Sequence, residues 1–77
     1  MAAKPTSARP KIIDGVAFRC YQSGVAAYYW QSDDARIVAR GNHFRSVTYS
    51  AFVDKKIIGQ RYRSIENAMR AGVKAAK

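Results

Sequence analysis

One histidine, one cysteine and five carboxylates are all this chain offers for bond-making chemistry, and no spacing among them sets two to work together. General acid–base catalysis needs groups held side by side with tuned proton affinities. His43 stands beside Asn42 in a stretch that reads as a solvated turn. Asp33 and Asp34 are adjacent, so on a strand they would face opposite ways and on a loop they are ordinary polar residues. Cys20 alternates with Phe18 and reads as a small core hydrophobe. A single cysteine excludes an intramolecular disulfide, and Cys20 with His43 does not make a zinc-binding set. No glycine-rich phosphate loop is present. The expectation is a non-enzyme with no cofactor and no metal.

The cations carry more information. Lys and Arg number 14 against 5 Asp and Glu, a formal charge of +9 in 77 residues, with an isoelectric point near 10.2. Apolar residues still make up 48% of the chain, which argues for a folded module wearing its charge on the surface. Such a field draws polyanions first. Ten of the basic residues fall in the N-terminal segment, in the stretch Arg36, Arg40 and Arg45, and in Lys55, Lys56, Arg61 and Arg63. The last two groups are the candidate nucleic-acid-binding residues, able to pair with phosphates by charge-assisted hydrogen bonds while counterions are released. Among the aromatics, Tyr49 and Tyr62 read as core. Trp30 and Phe52 are the candidates to stack on a base or to anchor a partner.

The elements that must position these groups follow from patterning. Residues 1–11 hold both prolines and Lys4, Arg9 and Lys11 and read as a flexible basic arm, leaving residues 12–77 as a single domain. Val16, Phe18 and Cys20 alternate with Ala17, Arg19 and Tyr21 in a first strand. Ser23-Gly24 then offers a tight hairpin and Val25 to Gln31 a returning strand, although Ala26-Ala27 also suits a short helical turn. Ser32 to Asp34 read as a loop, Arg36 to Arg40 as a strand, and Gly41-Asn42 as another turn. Arg45 to Val53 alternates most regularly, with Val47, Tyr49, Ala51 and Val53 on one side and Ser46, Thr48, Ser50 and Phe52 on the other. After the polar turn Asp54 to Lys56, residues Ile57 to Arg63 run back, with Ile58 and Tyr62 on one face and Arg61 and Arg63 on the opposite one. Ser64 is the N-cap of a helix whose stripe is Ile65, Ala68, Met69, Gly72, Val73 and Ala76. The sum is an α+β fold, a small antiparallel sheet of three to five strands packed against one C-terminal helix.

No run approaches the ~18 apolar residues of a membrane span, and the N-terminus lacks a secretory apolar region, so a cytoplasmic protein without membrane contact is expected. The segment Arg45-Ser46-Val47, Tyr49 to Val53, the turn to Ile58, Gly59, Tyr62, Ser64, Glu66, Ala68 and Ala71 resembles two related patterns. One is the Apetala/ethylene-response-factor domain and the other the arm-type DNA-binding domain of tyrosine integrases. The resemblance implies a three-stranded sheet that presents the face away from its helix to the DNA major groove. It places Arg45 on the arginine of the family's first strand, and Lys56 and Arg61 near the basic contacts of its third. Ser46 stands where the family has glycine, Thr48 where arginine is usual, and residues Ile12 to Asn42 lie outside the likeness.

The leading expectation is therefore a small basic protein binding nucleic acid, double-stranded DNA first and RNA as the alternative, through that sheet face. The alternative is a phage-type inhibitor or adaptor docking on the acidic surface of a host protein such as a polymerase or nuclease. A third reading is a structural, dimerising protein. The oligomeric state is not legible in the sequence.

Overall fold

The two-residue links at Asp14-Gly15 and Asp54-Lys55 dictate the two tightest hairpins among the described residues. All four residues have positive φ, at 50°, 82°, 52° and 69°. That backbone turns with the same hand as the strands it joins. In the computed structural model, which describes residues 4–22, 28–43 and 47–77 (of 42, 43 and 47 the backbone only), these hairpins belong to one antiparallel sheet. Its strands are β1 (Lys4–Pro5), β2 (Lys11–Ile13), β3 (Val16–Gln22), β4 (Tyr28–Ser32), β5 (Ile37–His43), β6 (Val47–Val53) and β7 (Lys56–Tyr62). The order across the sheet is β1-β3-β4-β5-β6-β7, and β2 pairs with β3 on the same edge as β1. The one helix among the described residues, α1 (Ile65–Ala76), completes a two-layer α+β domain.

Alternation decides which side of the sheet the helix covers. Phe18, Ile37, Ala39, Ala51 and Val53 meet Ala68, Met69 and Val73 in one buried cluster, with Trp30, Tyr49 and Tyr62 packed around it. Phe18 and Met69 are the largest fully buried side chains, each contributing roughly 1.5–3 kcal/mol by leaving water. Ala39 and Ala51 are small because α1 lies directly over them. Gly72 is forced by the same closeness, since a Cβ there would strike the Ile37 methyl Cγ2. Ser64 caps α1 by accepting the Asn67 backbone N–H at 3.2 Å. Glu66, in the first turn, accepts from the Lys11 ammonium at 2.9 Å and so ties β2 to the helix.

Several expectations change here. The sheet has seven strand segments because Lys4–Pro5 and Lys11–Ile13, within and just beyond the residues read as an arm, satisfy the outer edge of β3. Gly41-Asn42 is not a turn. The ladder runs through it, with Gly41 opposite Tyr49, Asn42 opposite Thr48 and His43 opposite Val47. Ser32 is strand and not loop, paired with Phe18, and its buried hydroxyl accepts the Ile37 N–H at 3.0 Å while donating to Asp34. Simple alternation fails in β7, where Lys56 opposes Val53, Gly59 opposes Ala51 and Tyr62 opposes Tyr49. Two irregularities insert extra residues, so the side turned toward the helix recurs every third residue and Ile58 falls in a bulge. The Ser23-Gly24 hairpin, the Ala26-Ala27 pair and Arg45 lie outside the described residues. No helix among the described residues is long and apolar enough to cross a membrane.

Candidate nucleic-acid interface

The sheet face turned away from α1 has no second layer among the described residues. Cross-strand partners share a face, and the registers set out two parallel rows there. One row runs Pro5, Tyr21, Tyr29, Arg40, Ser50 from β1 to β6. The other runs Arg19, Gln31, Val38, Phe52, Ile57 from β3 to β7. Between them, on the covered side, lies Cys20, Trp30, Ala39, Ala51, Gly59. The open rows thus combine two exposed arginines with three half-buried aromatic rings.

Those rings and cations are already organised. Tyr21 and Tyr29 stack with centroids 5.5 Å apart and planes 20° from parallel. The Arg40 guanidinium sits 5.1 Å from the centroid of the Phe52 ring, a cation–π contact that joins the two rows. Arg19, at the β3 end, approaches Asp33 at 3.7 Å with both side chains largely in water, a weak pairing that leaves its charge available. Ile57 closes one row at 53% exposure, and Ile12, opposite Ala17, lies at the margin of the same face at 72%.

The residues singled out by sequence do not all assemble on this face. Arg40 and Phe52 do. Arg36 lies at the end of the β5–β6 ladder and forms a two-pronged ion pair with Asp54, at 3.0 and 3.1 Å. The pair holds the Asp54 carboxyl below its ordinary range and raises the Arg36 guanidinium, each chiefly through their shared hydrogen bonds. Lys55 occupies the tip of the β6–β7 turn, and Lys56 opposes Val53 on the helix side. Arg61, with a positive φ of 67°, lies in the second bulge of β7, and Arg63 follows that strand; all four of these cations are exposed. They form a basic rim along the β7 edge and no continuous sheet face. Trp30 is on the covered side, half-buried against the core, with the Lys11 ammonium 5.6 Å from its ring centroid.

Sequence reasoning did not group Arg19, Tyr21 and Tyr29 with Arg40. The signal was present in the alternation of Val16 to Tyr21, but only the β3–β4 register puts Tyr21 opposite Tyr29. Elsewhere the acids serve structure. Asp34 accepts from Ser32 and from the Arg36 N–H, which lower its proton affinity in that order, and the Lys11 hydrogen bond does the same to Glu66. No group of three or more His, Cys, Asp or Glu able to hold a metal ion occurs among the described residues. The chain matches no protein-family model, no curated protein and no solved structure.

Proposed function

We propose that this protein binds nucleic acid through the sheet face that α1 leaves open, with Arg19 and Arg40 meeting phosphates and Lys55, Arg61 and Arg63 of the rim extending the contact, while Lys56 faces the helix side. The observation that supports this reading is the pair of cross-strand rows that bring Arg19 and Arg40 onto one face with Tyr21, Tyr29 and Phe52, a face with no second layer among the described residues, in a chain of net charge +9. Phosphate contacts supply affinity by releasing counterions, and aromatic rings supply sequence-tolerant contacts to bases. Arg36, occupied by Asp54, is not part of this contact.

Fluorescence anisotropy with labelled oligonucleotides across a salt series tests the reading. If about five phosphates are engaged, log affinity falls against log salt with a slope of about −4 to −5 on duplex and nearer −3.5 on single strands. The double variant Arg19→Ala/Arg40→Ala flattens the slope and weakens binding more than Arg70→Ala/Lys74→Ala, which removes equal charge from the exposed side of the helix. Equal losses from the two pairs would mean that bulk charge and not this face makes the contact. No binding at low salt would remove the reading altogether.

Docking on an acidic protein is a second reading, favoured by the exposed Ile12 and Ile57 at opposite margins of the same face. Pull-down from nuclease-treated lysate separates the two, because one stoichiometric protein partner that survives the treatment supports the second.

A further inference from the structure

We infer that the open face takes single-stranded nucleic acid, with unstacked bases laid on the Tyr29 and Phe52 rings, and does not insert into a duplex groove. The inference rests on the proposed nucleic-acid binding and names its substrate.

Width is the first argument. Neighbouring strands lie ~4.8 Å apart, so the row from Arg19 on β3 to Ile57 on β7 crosses four spacings, about 19 Å, while the other row ends at a buried Ser50. A major groove is only ~12 Å wide. A two-stranded ribbon fits such a groove, whereas this face is four to five strands broad and its ring-bearing centre would stay outside.

The second argument is chemical. A duplex laid across the face would present phosphates to Tyr21, Tyr29, Val38 and Phe52, whose half-buried apolar surface gains nothing from an anion. An unpaired base offers a flat apolar face to that surface and a phosphate on either side. Tyr29 and Arg40 are direct cross-strand partners, and Arg40 also overlies Phe52, so the two rings share one cation. Rings beside one central guanidinium, Arg40, with a second, Arg19, at the β3 end of the face, offer stacking and phosphate contacts to one strand.

The full chain is tested by anisotropy against a labelled 12-nucleotide oligothymidine, the uridine counterpart, and the thymidine–adenosine duplex of equal length, all at one salt concentration. Binding of either single strand at least tenfold tighter than duplex is expected. Equal affinity, or preference for duplex, overturns the inference and leaves the proposed function standing; failure of all three probes removes both. Tyr29→Leu keeps an apolar side chain but no ring, and should weaken single-strand binding by about 5- to 150-fold with the salt slope unchanged. Tyr29→Phe should restore it. Thermal unfolding of each variant verifies folding. Phe52→Leu gives the same readout at the second ring should Tyr29→Leu fail to fold. Wild-type affinity in a folded ring-less variant overturns the inference.

Discussion

Ala39 and Arg40 are neighbours on one strand and belong to different kinds of surface. Ala39 is fully buried beneath α1, in a row of residues chosen by volume, where anything larger would lift the helix and anything polar would need a partner. Arg40 stands exposed on the other side among tyrosines and a phenylalanine, where packing imposes no such limit on size or charge. The contrast teaches that the covered side accounts for the fold and leaves the open side's composition unexplained by it. Long cations and large rings there meet no second layer among the described residues, which is the reason to propose function on this face.

The comparison breaks most visibly at Phe18 and Arg19. Phe18→Ala empties a fully buried site and is expected to cost about 3–5 kcal/mol, whereas Arg19→Ala, one residue away, should lie within about 0.5 kcal/mol of wild type; urea unfolding measures both. Comparable costs would show that the open face is also structural. Next in size is Ser32→Ala, on the covered side. Its loss leaves the buried Ile37 N–H without its acceptor and should cost about 1–3 kcal/mol in the same experiment.

Acid gives the smallest effect. Asp34, Asp54 and Glu66 each hold a proton less tightly when folded, through Ser32, Arg36 and Lys11 respectively. The unfolded chain therefore binds more protons at low pH, so these groups stabilise the fold fully above the ordinary carboxylate range, about pH 4, and lose that contribution as pH falls through their lowered values. All three lie in water-accessible positions, which keeps the effect modest. The urea midpoint should be level between about pH 5 and 7 and decline below about pH 4. None of the three lies in the open rows, so a decline at higher pH would point to groups outside this set.

How much of this could be read from the sequence depended on regularity. The alternation of Val47 to Val53 and the stripe from Ile65 to Ala76 are uninterrupted, and both elements stand where the pattern put them. In β7 the pattern misled, because two bulges shift the facing residues to every third position and period-two reasoning turns Ile58 inward. Gly41-Asn42 has the composition of a turn, yet Tyr49 and Thr48 across the ladder hold it as strand. The Asp14-Gly15 hairpin had a plain local signal in its Asp-Gly pair, masked by its place beside a proline-bearing stretch and by a partner strand of three residues. The candidate site was the least legible part. Local charge marks cations, but whether they share a face is decided by strand registers, which put Arg40 beside Tyr29 and Phe52 and send Lys56 to the far side.

The bulges of β7 have a bearing on solubility. A sheet that is bare on one side and ends in a straight strand invites copies of itself to add on, strand by strand, into a fibre. Here the terminal strand is irregular at two places, and Lys56, Arg61 and Arg63 repel an identical edge brought alongside. The same kinks that spoiled the periodic pattern thus make this edge a poor template for an identical strand.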